Sequence, residues 1–241
     1  MRQLFAGILL VVLTVLAPVA QANQSDDPWE GFNRAIFAFN DTIDRYFLKP
    51  VAVGYTKVVP EVVRNGVSNF FGNISDVKTI ANDLFQAKFK QAGLDSTRVL
   101  VNTTVGIAGF IDIGSRIGLD EHDEDFGQTL GYWGVKPGPY LVLPLLGPST
   151  VRDTGGLIPD YFISPYYQVG DNHKYYEIKV VEAVDTRAGL LKAERLVVGD
   201  RYTFFREAYL QRRNFLVHDG VIQDNFNEDD SLFQDDGTDS Q

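Results

Sequence analysis

The sequence has no cysteine among its 241 residues. A disulfide framework is therefore excluded, and so is lipid attachment through a cysteine. The motifs GxSxG, GxxxxGK and HExxH are also missing, so nothing marks a nucleophile elbow, a phosphate loop or a zinc protease site. Neither basic patches nor base-stacking modules stand out. From these absences we expect no enzyme, no cofactor, no metal site and no nucleic-acid partner.

Long apolar runs are also missing: beyond position 22 no window of about 18 residues is apolar throughout, so no transmembrane helix is predicted. Aromatic residues, in contrast, are abundant, with 17 phenylalanines and 11 tyrosines. Aromatic residues at this level fit a membrane interface as well as a protein core. The length suits one domain, or at most two small ones.

The negative charge is concentrated at the C-terminal end. The formal net charge is −10, and residues 218–241 hold eight acidic residues with no lysine or arginine. Without those eight and Arg2, the chain has 24 acidic against 21 basic residues and is close to neutral. We expect 218–241 to be a disordered, solvated tail. It could serve solubility alone or dock a basic partner.

The first 22 residues have the pattern of a secretory signal peptide. Arg2 precedes an apolar stretch over 4–16, Pro18 breaks it, and Ala20-Gln21-Ala22 forms a small-x-small cleavage site. We expect cleavage after residue 22 and a mature chain starting near Asn23. An uncleaved anchor helix is the alternative.

An amphipathic helix is predicted after Pro28, with Asp26 or Asp27 as its N-cap and Pro50 as its end. Large apolar residues recur along it at steps of three or four: Trp29, Phe32, Ile36, Phe39, Ile43 and Phe47. Such a stripe commonly faces a core. Its aromatic content, with Trp29, Tyr46 and Lys49 near the ends, also fits a helix lying in a membrane interface.

Helical periodicity dominates the remaining sequence. Further helices are predicted from Pro60 to Ile74, from Ser75 to a stop near Gly93, from Asp95 to Val105, from His173 to Val198, and from Asp200 to Gly220. A glycine-rich turn is predicted over 106–118, and strands only over Tyr140–Leu145 and Phe110–Ile113. The six residues from Asp120 to Asp125 are predicted to be a solvated charge run, with weak cation binding as the alternative.

The segment from Phe126 to Asp153 is apolar yet irregular. It contains five glycines, and the prolines at 137, 139, 144 and 148 exclude one regular helix. So apolar a segment must pack inside the protein, line an apolar cavity or touch lipid.

Five blocks in order resemble the MlaA (VacJ-like) family of the Gram-negative outer membrane, over roughly residues 26–217. They are DPWEGFNRAIFAFNDTIDRYFLKPVAVGY at 27–55, RNGVSNFFGNI at 64–74, VNTTVGIAGFIDIGS at 101–115, the segment 126–153, and REAYLQRRNFL at 206–216. The resemblance implies an all-α, mostly helical fold: a ring-like single domain of amphipathic helices with irregular Gly/Pro loops, over 23–217.

The resemblance also implies a function. Family members sit in the inner leaflet of the outer membrane and bind trimeric porins. A polar channel admits phospholipids that have strayed into the outer leaflet, and a soluble periplasmic lipid carrier receives them. Many members are lipoproteins acylated on a cysteine, which this sequence lacks, so we expect an unlipidated protein held at the periplasmic face of the outer membrane by its helices. The alternative is a structural or adhesive envelope protein that binds porins without moving lipid; a periplasmic hydrolase is a third.

Two sets of residues follow from the resemblance as hypotheses. The first set forms the lipid channel or its opening: Phe39, Asn40, Asp41, Tyr132, Trp133 and Gly134. The second set lies on membrane-interface helices: Trp29, Phe32, Ile36, Phe47, Phe70, Phe71 and Phe85. Periodicity alone leaves open whether each aromatic residue faces a core or a bilayer.

Overall fold

The computed structural model describes residues 27–169 and 172–221. The predicted signal peptide 1–22 lies outside this part, and so does the predicted disordered tail 218–241 except for residues 218–221. These four residues are ordered in a turn after the last helix. The described structure is 71% helical, so the prediction of a mostly helical fold is confirmed. The α-helices are, in chain order, α1 (Glu30–Ile43), α2 (Lys49–Val58), α3 (Glu61–Phe85), α4 (Phe89–Thr104), α5 (Phe126–Tyr132), α6 (Val151–Ile163), α7 (Asn172–Leu190) and α8 (Arg201–Val217).

The sequence predicted that Pro50 ends the first helix, but the helix continues past it. A π-helical segment, Asp44–Leu48, joins α1 to α2, and the amide of Lys49 donates to the carbonyl of Asp44. Pro50 then sits in the first turn of α2, where its missing N–H costs least. The wider turn accommodates the proline inside a continuous helical rod.

Ion pairs fasten this π-helical segment to the later part of the chain. Arg187 of α7 donates to both carboxylate oxygens of Asp44, at 2.6 and 2.9 Å, and to Glu194 at 2.8 Å. Lys49 also donates to Glu194 at 2.9 Å. The hydrogen bonds from Arg187 and Lys49 lower the pKa of Glu194 to about 2.

The helix boundaries predicted near Ser75 and Gly93 are wrong. α3 runs without interruption past Ser75 and Asp76, because the carboxylate of Asp76 turns inward to Arg98 at 3.3 Å instead of capping a new helix. The break comes instead at 86–88, and Phe89 starts α4. Gly93 lies inside α4, where a glycine is tolerated at a cost of about 1 kcal/mol relative to alanine.

The region 106–118 is irregular, as predicted, but Phe110–Ile113 is not a strand. Ile107 and Ala108 have φ values of 54° and 56°, which turn the chain sharply after α4. Asp112 then accepts from the amide and hydroxyl of Ser115 at 3.1 and 2.6 Å. These bonds hold a turn and a short 3₁₀ helix, Ser115–Ile117, rather than an extended segment.

The strand prediction at Tyr140 is confirmed, with a shorter strand than expected. β1 (Tyr140–Leu143) pairs antiparallel with β2 (Gly147–Thr150), which includes Pro148 and was not predicted. Leu143 lies opposite Gly147, so the hairpin tip consists of residues 144–146. Thr150 then caps α6 by accepting from the amide of Asp153 at 3.2 Å.

The last helices agree better with the sequence. α7 ends at Leu190 and is followed by a 3₁₀ helix, Ala193–Leu196, in place of one helix to Val198. Asp200 caps α8 as predicted, accepting from the amide of Thr203 at 3.2 Å. In the part of the chain that is described, no helix has both the length and the apolarity needed to span a bilayer.

Candidate functional site

The outer surface carries many large apolar side chains. On the first helical rod Phe32, Phe39 and Phe47 are 55%, 49% and 69% exposed. The same holds for residues on other helices and loops: Val62, Phe85, Phe89, Leu100, Ile107, Trp133, Leu145, Leu146, Ile158, Phe162, Val180 and Leu196. Where such side chains form extended patches, they mark contact with lipid or with other proteins.

The interior, in contrast, is polar. Among the described residues, seven of the eight largest fully buried side chains are polar, and Val142 is the exception. The seven are Gln86, Gln128, Asn33, Asn82, Thr79, Thr150 and Asp83. An apolar cluster of buried residues exists beside them but is small, with Tyr140, Val142 and Tyr202 at its centre. Burial of this kind is the reverse of an ordinary globular core.

Hydrogen bonds connect these buried polar groups across α3, α5 and α6. Gln86 donates to Glu124 at 2.8 Å and to the hydroxyl of Thr129 at 3.2 Å, and this hydroxyl donates to Asn82 at 2.9 Å. Asn82 donates in turn to Asp160 of α6 at 3.1 Å. A buried polar network is stable only where its members find partners, and these helices supply them to each other.

A second buried network consists of ion pairs. Arg213 of α8 pairs with Asp125 at the start of α5 and, at 3.0 Å, with Asp153 of α6, which also pairs with Arg152 at 2.9 Å. The hydroxyl of Tyr209 donates to Asp153 at 2.8 Å. Burial alone would raise the pKa of both aspartates, but the hydrogen bonds and the charge of Arg213 lower the pKa of each below its ordinary value.

Two buried carboxyl groups on α3 behave in the opposite way. Burial raises the pKa of Asp83 to about 8. The negative charge of Asp95, and the hydrogen bond that protonated Asp83 donates to it, shift the pKa in the same direction. Among the described residues, no donor reaches either carboxylate oxygen of Asp83. Burial also raises the pKa of Asp76 to about 7, although the positive charge of Arg98 opposes the shift. The interior therefore holds two carboxyl groups whose pKa values lie at or above neutral pH.

Asn40, predicted at the channel opening, holds the hairpin to α1. Its amide donates to the carbonyl of Leu143 at 2.9 Å and accepts from the amide of Leu145 at 2.8 Å. Asn33, two turns earlier and not predicted, does the same with Tyr140 and Val142 at 3.0 and 2.8 Å. The two amides are spaced by seven and lie off the apolar stripe, a signal that the sequence analysis did not use.

The neighbours of Asn40 differ in their surroundings. Asp41 pairs with Arg201 of α8 at 2.9 Å and with Arg45 at 3.2 Å. Phe39 lies on the apolar stripe, and its ring is half exposed. Around Asn40 the structure therefore brings together a hairpin contact, an interhelix ion pair and an exposed ring.

Tyr132, Trp133 and Gly134 lie together where α5 ends. Both rings are exposed and meet edge to face with centroids 5.5 Å apart. The indole N–H of Trp133 donates to the carbonyl of Phe85 at 3.0 Å, which ties the end of α5 to the end of α3. Gly134 has a φ of 86°, a conformation that favours glycine.

Most residues predicted for the membrane interface are exposed or half-buried, with one correction. Phe32, Phe47 and Phe85 are at least half exposed, and Trp29, Ile36 and Phe70 are half-buried. Phe71, in contrast, is only 9% exposed and packs against the ring of Phe70 at 5.5 Å. Its position one residue after Phe70 turns it toward the interior, so a bilayer-facing role for Phe71 is wrong.

The acidic segment Asp120–Asp125 is exposed over its first four residues, as the sequence predicted, but its last two residues are not solvated. Glu124 is 8% exposed and pairs with Lys88 at 3.1 Å. Asp125 caps α5 by accepting from the amide of Gln128 at 2.9 Å, and His122 contacts Asp95 at 3.2 Å. Within 27–169 and 172–221, no group of three or more histidine or acidic side chains is arranged to hold a metal ion.

Fold and site together define a class of protein: mostly helical, with a polar interior and an apolar outer surface. The family model described as MlaA lipoprotein matches residues 25–216. The chain therefore belongs to the MlaA family.

Relatives and a solved structure agree. A protein of Escherichia coli (strain K12) named intermembrane phospholipid transport system lipoprotein MlaA is 36% identical over 95% of this chain and 93% of its own length. A protein of the same name from Haemophilus influenzae is 35% identical, covering 89% and 92%. A solved structure described as “Structural basis for maintenance of bacterial outer membrane lipid asymmetry” matches with a TM-score of 0.71 and 36% identity, over 80% of this chain and 99% of that one.

Proposed function

We propose that this chain transports phospholipids at the outer membrane. It removes mislocalised phospholipids from the outer leaflet and passes them to a periplasmic carrier, which maintains lipid asymmetry. The names of its relatives and the subject of the solved structure support this function. No bond is made or broken in such a transfer, so the reaction requires no catalytic residue.

The observation that carries the proposal is the reversed distribution of polarity. The apolar surface, with rings such as Phe47 and Trp133, suits solvation by acyl chains, because each methylene moved out of water is worth about 0.8 kcal/mol. The polar interior, with hydrogen-bonded groups such as Gln86 and Gln128, shows that the helices turn polar side chains toward one another and leave apolar side chains outside. We propose that helices with this character surround a polar path, as in a ring seated in the inner leaflet.

Attachment to the membrane follows from the same surface. The relatives are named lipoproteins, but none of the 241 residues here is a cysteine that could carry an acyl chain. We propose that exposed aromatic and aliphatic side chains hold the protein at the periplasmic face of the outer membrane after removal of residues 1–22. Sequencing the N-terminus of the exported protein tests the cleavage site.

A trimeric porin and a soluble periplasmic lipid carrier are the proposed partners. A structural or adhesive protein that binds porins without moving lipid remains the second candidate, because exposed apolar patches also suit protein contacts. The two candidates differ in one observable, which is whether phospholipid accompanies the protein.

Purification of the mature protein from membranes in mild detergent, followed by lipid extraction and mass spectrometry, makes the distinction. Phospholipid that co-purifies in a fixed ratio supports transport, whereas a lipid-free protein that still retains porin supports the adhesive function. In cells, expression in a Gram-negative strain that lacks its own family member should restore resistance to detergent. Unchanged detergent sensitivity together with lipid-free protein would contradict the proposed transport.

A further inference from the structure

A pocket of about 300 Å³ lies where the C-terminal ends of α5 and α8 meet. It is lined by Gly131, Tyr132, Val217, His218, Asp219 and Val221. Ligand pockets in proteins begin at about 300 Å³. The space therefore suits a small polar group, while anything larger attached to that group must lie outside.

Two residues that line the pocket, Asp219 and Tyr132, contact Lys88, which lies behind the lining. The ammonium of Lys88 pairs with the carboxylate of Asp219 and, at 3.1 Å, with Glu124. The same ammonium lies 5.3 Å from the centroid of the Tyr132 ring, within the range of a cation–π interaction. The ring face and the carboxylate of Asp219 thus already accommodate one ammonium group.

The backbone at Asp219 is held in an unusual conformation. Its φ is 54°, in the left-handed region, and Gly220 follows with a φ of 79°. This conformation closes the C-terminal end of α8, where the amide of Gly220 donates to the carbonyl of Phe215 at 3.0 Å. The turn directs the carboxylate of Asp219 to Lys88 at the edge of the pocket.

An apolar rim adjoins the pocket. Tyr132 is 45% exposed and Trp133 is 63% exposed, and the indole of Trp133 is fixed to the carbonyl of Phe85, whose own side chain is half exposed. Acyl chains could lie along these rings while the attached headgroup occupied the pocket.

We propose that this pocket binds the headgroup of a zwitterionic phospholipid, one that carries both a phosphate and an ammonium group. The inference rests on the proposed transport function and names the lipid class that this site selects. On binding, the phosphate takes the place of Asp219 at Lys88, and the lipid ammonium lies between the carboxylate of Asp219 and the ring of Tyr132. One internal ion pair is exchanged for two pairs of the same kind, so no charge is left without a partner.

An anionic headgroup without an amine cannot form the second of these ion pairs, the one with Asp219. Its phosphate could displace Asp219 from Lys88, but the freed carboxylate would then face a second negative charge without a cation beside it. The site should therefore discriminate by the amine and not by the phosphate, which phosphatidylethanolamine and phosphatidylglycerol share.

The test is competition between these two lipids for the purified full-length protein. The protein is equilibrated in detergent micelles with equal amounts of phosphatidylethanolamine and phosphatidylglycerol, and tightly bound lipid is counted by mass spectrometry. We expect wild type to retain phosphatidylethanolamine over phosphatidylglycerol by about tenfold, which corresponds to one ion pair with a favourable aromatic contact. Asp219→Asn should bring the ratio near one, and Tyr132→Leu should reduce it several-fold.

The matched control is Asp120→Asn, which removes one exposed carboxylate from a nearby loop and should leave the ratio at the wild-type value. Equal ratios in wild type and Asp219→Asn would overturn the headgroup assignment. So would displacement of bound lipid by millimolar inorganic phosphate, because the site would then recognise a free anion. If neither wild type nor any variant retains phospholipid, the proposed transport function fails. If wild type and all variants retain phospholipid with the same ratio of phosphatidylethanolamine to phosphatidylglycerol, only the headgroup inference fails.

Discussion

At the residue scale, two asparagine side chains make the hydrogen bonds that a neighbouring strand would make with β1 and the turn after it. Asn33 and Asn40 each use one amide to accept from and donate to the backbone of the hairpin, as a paired strand would do. The edge of β1 that would otherwise remain unpaired is thereby satisfied by a helix. The role of Asn40 is in the first place to position the hairpin tip, where Leu145 and Leu146 are exposed.

Replacing Asn33 by alanine should destabilise the fold by about 2–6 kcal/mol. The variant leaves the amide of Val142 and the carbonyl of Tyr140 buried without partners, at about 1–3 kcal/mol for each group. Urea unfolding followed by circular dichroism measures the change. The control, Asn65→Ala, alters an exposed residue of the same type in α3 and should change stability by less than about 0.5 kcal/mol. Equal losses in both variants would contradict the bidentate role of Asn33.

A titration prediction follows from Asp83. Its pKa lies near 8 in the folded protein against 3.8 when exposed, so the folded state holds a proton that the unfolded state releases. Its contribution to stability is complete below about pH 4 and is lost as the pH rises toward 8. Asp83→Asn, which stays neutral and can donate to Asp95, should therefore raise the melting temperature more at pH 8 than at pH 5.

Scanning calorimetry across this pH range, with Asp120→Asn as the control, measures the effect. The control should follow the pH profile of wild type, because Asp120 is exposed. A difference between Asp83→Asn and wild type that stays constant from pH 5 to pH 8 would argue against a protonated Asp83. Sequence analysis could not anticipate this group, because a single aspartate in a helical stripe carries no mark of its burial.

At the scale of the elements, hydrophobic periodicity located most of the helices. The stripe from Phe32 to Phe47 corresponds to α1 and the π-helical segment that follows it, and the Asp200 cap corresponds to the start of α8. Helices α5 and α6 were not predicted. Two further errors came from local signals that tertiary contacts outweighed. Pro50 follows a π-helical segment that lets the helix continue. Asp76, which the sequence suggested as a helix cap, pairs instead with Arg98 on the neighbouring helix.

Helices α5 and α6 cross so closely that glycine is required on one side. A Cβ built at Gly156 would lie 2.5 Å from the backbone nitrogen of Gly127, which cannot move as a flexible side chain would. Gly156→Ala should therefore destabilise the fold by about 1–3 kcal/mol, as overpacking does in other close-packed sites.

The adjacent glycine provides the control. A Cβ at Gly155 would meet nothing within 4 Å, so Gly155→Ala should stabilise α6 by about 0.5–1 kcal/mol through its helix propensity. Thermal unfolding of the two variants compares them directly. Shifts of the same sign would show that the crossing is looser than these distances indicate.

At the scale of the whole molecule, polarity is distributed in the reverse of the ordinary order. The sequence predicted amphipathic helices but could not say which face is buried, because a stripe directed to a core has the same period as one directed to a bilayer. Phe70 and Phe71 illustrate the difficulty: they are adjacent and identical in type, yet only Phe71 is buried. The buried glutamines, such as Gln86, were equally beyond periodicity, since their burial depends on partners far along the chain.

The exposed rings of the first helical rod permit a test of this reversed polarity. Phe32, Phe39 and Phe47 are about half exposed or more. Replacing all three by serine should therefore lower the free energy of unfolding by at most about 1 kcal/mol per ring and leave the protein folded. Each ring half-buried in acyl chains contributes roughly 1 kcal/mol, so the triple variant should bind phospholipid vesicles about a hundredfold more weakly. Flotation of the mature protein with vesicles measures the bound fraction. The triple Phe→Leu variant keeps the apolar surface and should bind like wild type. If the serine variant floats as well as the leucine variant while both stay folded, this face of the helix does not contact lipid, and the exposed stripe must instead be covered by protein.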